Sequence, residues 1–178
     1  VLDHRLAPGD PAAMSGTMQA VKQLIIQPGG MLELSAGAEL YPDDVENEGT
    51  LRVSHGFFQA FGDIWNQTTT SAIEVGPAGW VLIEAVHNEG SLCVDGGEFD
   101  AYADSYNAGT MTVSNYGLLL MSCDVQNTGL LSVSSGGHAQ IVGALEMALP
   151  GEVRVSGSDS LLQVDGNFQA DEIGRAHV

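Results

Sequence analysis

The chain repeats one short phrase at nearly even intervals, and this repetition limits what it can fold into. The phrase is an Asn-x-Gly turn followed by two apolar residues with one residue between them. It is written NEGTLRVSHG from Asn47, NEGSLCVDGG from Asn88, NAGTMTVSNYG from Asn107 and NTGLLSVSSGG from Asn127. The apolar pairs are Leu51/Val53, Ile73/Val75, Leu92/Val94, Met111/Val113, Leu131/Val133 and Val153/Val155. Their second members are 22, 19, 19, 20 and 22 residues apart, and such a period is typical of a solenoid.

Each repeat has a second apolar pair that follows a turn. The turn residues are Gly56, Gly79, Gly97, Gly117, Gly137 and Ser160. The pairs that follow them are Phe58/Ala60, Val81/Ile83, Phe99/Ala101, Leu119/Met121, Ala139/Ile141 and Leu162/Val164. Alternation with a period of two indicates strands, so one unit is a strand, a glycine turn, a second strand and a variable loop. We therefore predict an all-β protein, a right-handed parallel β-helix (β-solenoid) of about six to seven coils of about 20 residues.

The recurring Asn and Gly residues are interpreted as corner residues. Stacked coils would bring Asn47, Asn88, Asn107 and Asn127 together in a structural ladder, because Asn tolerates the left-handed region and can bond its own backbone there. The glycines would supply positive φ angles at little cost. On this basis Gly109 is expected to have φ > 0, and Gly109→Val is expected to cost roughly 1–3 kcal/mol.

The chain divides into three parts. Residues 1–20 are a partial coil or a loop, residues 21–172 are the β-solenoid domain, and residues 173–178 form a probable non-native tail, because IGRAHV breaks the repeat and resembles translated adapter sequence. The register of the first coil stays open: Leu32/Leu34 is either the first strand of a coil or the second strand of a longer one that includes Leu24/Ile26. The chain has no initiator Met and is interpreted as an internal fragment.

The charge excludes two classes of partner. Five basic and 23 acidic residues give a net charge of −18, which argues against nucleic acid and against an anionic membrane surface. No apolar stretch is long enough for membrane insertion within the fragment. Calcium is the one cofactor that the acidic loops allow, through Asp43, Asp44, Glu46 and Glu48 in one loop or Asp95, Glu98, Asp100 and Asp104 in another. Solvated acidic loops are the simpler interpretation.

No catalytic, cofactor-binding or metal-ligating residue is assigned from sequence. Arg52 and Arg154 lie between inward residues and should point outward as partners of nearby acids, with a lyase base as the alternative. The histidines have no ligand spacing, and Cys93 and Cys123 are expected on different faces, unpaired. Phe58 is expected in the core, and packing is also the simpler expectation for its aromatic neighbours. As an alternative, an exposed stacking platform for sugar rings would be formed by Phe57, Trp65 or Trp80. The remaining aromatic of that cluster is Phe61, and the five histidines are His4, His55, His87, His138 and His177.

The phrase N-x-G-[TS]-[LM]-x-V with its glycine turn resembles the repeats of bacterial autotransporter passengers and other exported β-helix repeat proteins, over about residues 24–164. The resemblance implies export to the bacterial cell surface or the extracellular space, a scaffold or adhesin role, and glycans, surface proteins or neighbouring coils of the same parent chain as partners. It transfers no catalytic residue, and a non-enzymatic protein is favoured. Two alternatives stay open: a fragment of a polysaccharide lyase or glycoside hydrolase β-helix, and a calcium-stabilised carbohydrate-binding module.

Overall fold

Stacked parallel strands make up the whole architecture. The computed structural model describes the backbone of residues 3–6, 11–14, 17–170 and 175–177, and the side chains of residues 21–170. The described chain is all-β without a helix and forms a β-solenoid of about eight turns. This confirms the predicted parallel β-helix, with more turns than the six or seven expected. At about 4.8 Å per strand, eight turns span roughly 40 Å.

The strands, in chain order, are β1 (Asp3–Leu6), β2 (Pro11–Met14), β3 (Thr17–Ile26), β4 (Met31–Leu34), β5 (Glu39–Asn47), β6 (Thr50–Val53), β7 (Phe57–Gln59), β8 (Ile64–Asn66), β9 (Ala72–Val75), β10 (Trp80–Ile83), β11 (Val86–Asn88), β12 (Ser91–Asp95), β13 (Glu98–Ala101), β14 (Ser105–Asn107), β15 (Thr110–Ser114), β16 (Leu118–Met121), β17 (Val125–Asn127), β18 (Leu130–Ser134), β19 (His138–Ile141), β20 (Leu145–Met147), β21 (Glu152–Ser156), β22 (Leu161–Val164), β23 (Phe168–Ala170) and β24 (Arg175–His177).

Three faces surround the core. The first face is a nine-stranded sheet with the order β2-β4-β6-β9-β12-β15-β18-β21-β24. The second face runs from the start of β5 through β7, β10, β13, β16 and β19 to β22, and the third runs from the end of β5 through β8, β11, β14, β17 and β20 to β23. The long strand β5 contributes to both of the latter faces, which joins them into one fifteen-stranded sheet.

The predicted apolar pairs stack in register. On the first face Val53 pairs with Val75, Val75 with Val94 and Val94 with Val113. On the second face Phe58, Val81 and Phe99 are aligned in the same way. These inward side chains belong to one continuous hydrophobic core that runs from Val21 to Val153. Because strands such as β12 and β15 bury every second residue, the period-two pattern of the sequence is also the pattern of burial there.

The register of the first coil is resolved by strand pairing. Leu32 pairs with Leu51 and Leu34 with Val53, so this apolar pair lies on the first face and begins a coil. Leu24 and Ile26 lie on β3 and pair with β5. Near the N-terminus, β1 pairs with the end of β3, and β2 pairs with β4. Near the C-terminus, β24 pairs with β21. Whether the last six residues are native stays a prediction.

The third face was missed by sequence analysis, which assigned its residues to a variable loop. From β8 onwards its strands are only three residues long. In β11 the inward residues are Val86 and Asn88, and His87 between them points outward. Because one of the two inward residues of such a strand is polar, the segment does not show the apolar alternation that marks the other two faces.

The Asn residues form the predicted structural ladder, but from a different backbone conformation. The ladder has five members, because Asn66 also belongs to it, and each amide donates to the Oδ1 of the next at 2.8, 2.7, 2.7 and 2.6 Å. They are at most 1 % exposed and lie at the ends of third-face strands: Asn47, Asn66, Asn88, Asn107 and Asn127. None is among the described residues with positive φ, so the expected left-handed conformation was wrong.

Close approach of neighbouring coils explains the glycines that follow the Asn residues. A Cβ on Gly109 would collide with the carbonyl oxygen of Gly90 and lie 2.7 Å from the backbone of Glu89, one coil earlier. Gly90, Gly129 and Gly151 meet the preceding coil in the same way. The φ angle of Gly109 is not positive, so the prediction that its importance comes from a positive φ was wrong. Positive φ instead occurs at the corner between the first and second faces, often in non-glycine residues such as Ala78 and Tyr116.

We predict that Gly109→Ala lowers the free energy of unfolding by at least about 2 kcal/mol, because the added methyl group overpacks two coils against each other. Gly37→Ala is the matched control, since Gly37 has φ +79° but open space around its Cβ position, so that only backbone strain of about 1 kcal/mol is expected. Urea denaturation of both variants measures the difference. A larger loss for Gly37→Ala would contradict the steric explanation.

We also predict that Asn88→Ala costs about 2–4 kcal/mol, because it deletes the bonds to Asn107 and Thr110 and removes the acceptor for Asn66. Asn167→Ala, at an exposed position, should change the free energy of unfolding by less than about 0.5 kcal/mol. Thermal and urea unfolding give both values. Equal effects of the two substitutions would show that the ladder adds nothing to stability.

Candidate functional site

The outward side chains of the second face form the most distinctive surface of the described residues. Because successive coils are in register, Phe57, Trp80, Glu98 and Leu118 follow one another along this face. The rings of Phe57 and Trp80 are 4.9 Å apart and inclined by 53°. Tyr41 continues the row with its ring 5.8 Å from Phe57, at 67°. Tyr41 and Phe57 pack edge to face and Phe57 and Trp80 are tilted, so the three rings do not form a flat platform.

A second outward position on this face holds a carboxylate. Asp100 lies two residues after Glu98 on β13, so both side chains point away from the core. Trp80 donates its indole N–H to Asp100 Oδ2 at 2.9 Å. Asp100 Oδ1 is buried, and no donor reaches it. Glu98 interacts with the Asp100 side chain, and a hydrogen bond between the two carboxyl groups requires that one of them holds a proton.

The surroundings of the two acids raise both of their pKa values. Burial raises the pKa of Glu98, and the negative charge of Asp100 raises it further. Burial also raises the pKa of Asp100, although the hydrogen bond from Trp80 acts in the opposite direction. The ion pairs of the described side chains join Arg52 to Glu74, His87 to Asp63 and Arg154 to Glu152, so none neutralises Glu98 or Asp100.

A groove of about 320 Å³ borders Glu98, one member of this acid pair, at the corner between the first and second faces. Its walls include Trp80, Glu98, Leu118 and Tyr116. Trp80 is 43 % exposed and Tyr116 is 78 % exposed. Tyr116 has φ +62°, and its ring lies against Gly136 of the next coil, where a Cβ would come within 2.9 Å of it. The groove therefore has an aromatic side chain on two sides and a carboxylate between them. We call it the Trp80–Tyr116 groove.

The first of the two acidic groups lies mostly on a strand. Asp43, Asp44 and Glu46 lie on β5 rather than in a loop; Asp43 and Asp44 are exposed, and Glu46 accepts a bond from Gln23 at 3.0 Å. Glu48 lies in the turn that follows.

The second acidic group is divided among three places. Asp95 accepts bonds from Ser114 and Asn115 at the end of a first-face strand. Asp104 accepts one from the Asp124 backbone near the third face, and only Glu98 and Asp100 lie together. Within residues 21–170 no three His, Cys, Asp or Glu side chains are placed to hold a metal ion.

The arginines point outward, as predicted, and each is paired with an acid. Arg52 contacts Glu74 at 2.6 Å, and Arg154 contacts Glu152 at 2.6 Å. The hydrogen bond and charge of Glu74 raise the pKa of Arg52, and those of Glu152 raise the pKa of Arg154. A proton-abstracting base has to be neutral, so these pairings work against the lyase role that was the alternative.

The histidines and the remaining aromatic residues are dispersed. His87 stacks on Trp65 with ring centroids 3.8 Å apart and lies 3.3 Å from Asp63, all near the third face. His138 Nε2 lies 3.1 Å from the Asp159 carbonyl oxygen, and His55 lies at a corner with φ +55°. Trp65 lies on the third face and Trp80 on the second, and both are exposed, so a stacking platform for sugar rings at either residue stays a prediction. Phe58 is fully buried, as expected, and Phe61 is 52 % exposed. His4 and His177 lie outside the part of the chain whose side chains are described.

The two cysteines are free and lie in different environments. Cys93 is half-buried on the first face, and Cys123 is buried next to Ser105. Burial raises the pKa of Cys123 to about 11, so it stays a thiol near neutral pH.

Comparison with known proteins gives no relative. No family model matches the chain, and neither a curated protein nor a solved structure matches it. Among the described residues no helix is long and apolar enough to cross a membrane. The class that the structure defines is the β-solenoid, and the Trp80–Tyr116 groove with its acid pair is the candidate site on it.

We predict that Asp100→Asn raises the melting temperature at pH 7 by about 1–3 °C, a range reduced for solvent screening. In the folded state the pKa values of the acid pair are raised. The contribution of the pair to the free energy of unfolding is therefore fully present below the ordinary carboxyl pKa range and is lost as the pH rises through the raised pKa values. The gain should therefore vanish near pH 3, where Asp100 is protonated in both states. Glu89→Gln, at an exposed turn position, is the charge-matched control. An equal gain for the control, or a gain that persists at pH 3, would contradict the assignment.

Proposed function

We propose that the chain is a non-enzymatic segment of an extracellular scaffold or adhesin, displayed at a bacterial cell surface. The observation that carries this proposal is the unbroken register from β4 to β21, with one core and one amide ladder along its length. Such a stack contacts only its neighbouring coils and grows in length without changing its cross-section. It is suited to holding outward side chains at fixed spacing and to separating a binding element from the cell.

The outer surface supports binding better than it supports hydrolysis. Paired carboxylates in glycosidases are separated so that a sugar bond or a water molecule fits between them, at about 5 Å or more. Glu98 and Asp100 instead contact each other. The proposed partners are glycans or surface proteins, together with neighbouring coils of the same parent chain. The net charge of −18 favours partners that are neutral or positively charged.

We predict that the purified chain releases no product from neutral or uronate-containing polysaccharides, and that protease treatment of intact source cells degrades it while cytoplasmic markers survive. Reducing-end assays with wild type, Asp43→Ala and Asp100→Ala measure the first outcome, and immunoblotting measures the second. Sustained product release that either substitution abolishes would replace the scaffold proposal with a polysaccharide-active enzyme. Protection of the chain in intact cells, with degradation after lysis, would overturn the surface location.

A further inference from the structure

The Trp80–Tyr116 groove combines features that rarely occur together on the surface of a scaffold. Two exposed aromatic side chains border it, at Trp80 and Tyr116, and Glu98 lies between them. Large exposed aromatic residues next to each other usually mark an interaction surface. The position of each ring is also constrained: Trp80 packs on Phe57 and donates to Asp100, and Tyr116 lies against Gly136.

The two acids at the groove have no positively charged partner among the described side chains. Glu98 and Asp100 contact each other, and among the described side chains no Lys or Arg pairs with them. Glu98 is the member of the pair that lines the groove. An ammonium group has three donors and a positive charge, and placed against Glu98 it would reduce the repulsion between the two acids. The neighbouring indole and phenol rings attract cations through their π faces.

We propose that the Trp80–Tyr116 groove binds a glycan through a sugar unit that carries a free amino group. The sugar ring packs against Trp80 and Tyr116, and its ammonium group lies against Glu98. This inference rests on the proposed adhesin function, since it names the class of glycan that the rod would hold.

Size and charge favour this ligand over the alternatives. The groove volume of about 320 Å³ lies at the lower end of the range for small-molecule sites, so it has room for a ring rather than only an extended lysine side chain. Two carboxylates oppose uronate and sulfated glycans. A metal ion is disfavoured because two carboxylates supply fewer oxygens than calcium usually requires, and no third ligand is placed nearby among the described residues.

The test uses the full chain and isothermal titration calorimetry at fixed ionic strength. The probes are a β-1,4-linked glucosamine hexasaccharide, its fully N-acetylated form and hexalysine. We expect the glucosamine oligomer to bind, and both Glu98→Gln and Trp80→Leu to weaken it about tenfold. N-acetylation should weaken binding by a similar factor, because it removes the positive charge but keeps the ring.

Matched controls separate the groove from the general negative charge of the chain. Glu89→Gln removes an equal charge at an exposed turn, and Trp65→Leu removes an aromatic residue from the third face. Both should leave the dissociation constant within about twofold of wild type. Equal losses in Glu89→Gln and Glu98→Gln would show non-specific attraction and overturn the proposal. Hexalysine binding as tightly as the sugar, with the same dependence on Glu98, would assign the groove to basic peptides and overturn the sugar assignment.

Failure of the ligand assignment and failure of the scaffold proposal give different experimental results. Failure of the glucosamine oligomer to bind would remove this ligand but would leave surface exposure and the absence of turnover unaffected. Protection of the chain inside intact cells would remove the adhesin role, although the binding measured in solution would stand. Circular dichroism and the melting temperature of each variant establish that a lost interaction reflects the groove rather than unfolding.

Discussion

In-register stacking of parallel strands is the constraint on which the rest of this structure depends. Each coil places its residues directly over those of the coil before it, so every favourable contact, and every unfavourable one, is repeated along the rod. The buried amides show the consequence most clearly. An isolated Asn in the core would lose its hydrogen bonds to water, but in the ladder each amide bonds the next Asn and a first-face carbonyl, as Asn88 bonds Asn107 and Thr110. The ladder is stable only if the register is kept, and it also helps to keep it.

The same stacking imposes a limit at the neighbouring corner. A carbonyl oxygen of one coil occupies the place where the next coil would carry a Cβ, as Gly90 does for Gly109. One coil has Ser71 in this column, and its hydroxyl bonds the Thr68 carbonyl within its own turn. The Asn and the Gly of the repeated phrase therefore serve different purposes: the first satisfies buried polar groups, and the second allows the coils to approach.

The sequence was sufficient to predict the first and second faces because their inward residues are apolar and alternate strictly. Pairings such as Val94 with Val113 and Phe99 with Leu119 follow directly from that pattern. The third face could not be predicted in this way, because its strands are short and most of them end in Asn. Asn66 lacks the following Gly and so escaped the motif, although its spacing from Asn47 and Asn88 would have placed it in the ladder. The positive φ of Ala78 and Tyr116 has no signal in the residue types themselves.

Only part of the candidate site could be predicted from the sequence, for a related reason. Glu98 and Asp100 are two residues apart on a strand, so their shared face could be predicted, and the register places Trp80 beside Glu98. Asp95 and Asp104 are close in sequence but lie around separate corners, which is why proximity along the chain suggested a cluster that the fold divides. Tyr116 joins the site through the conformation of a turn, and side chains at such corners are set by backbone angles rather than by the repeat. A solenoid thus makes its core predictable from period alone, while its binding chemistry arises where two coils differ: an aromatic residue on one coil meets an acid on the next.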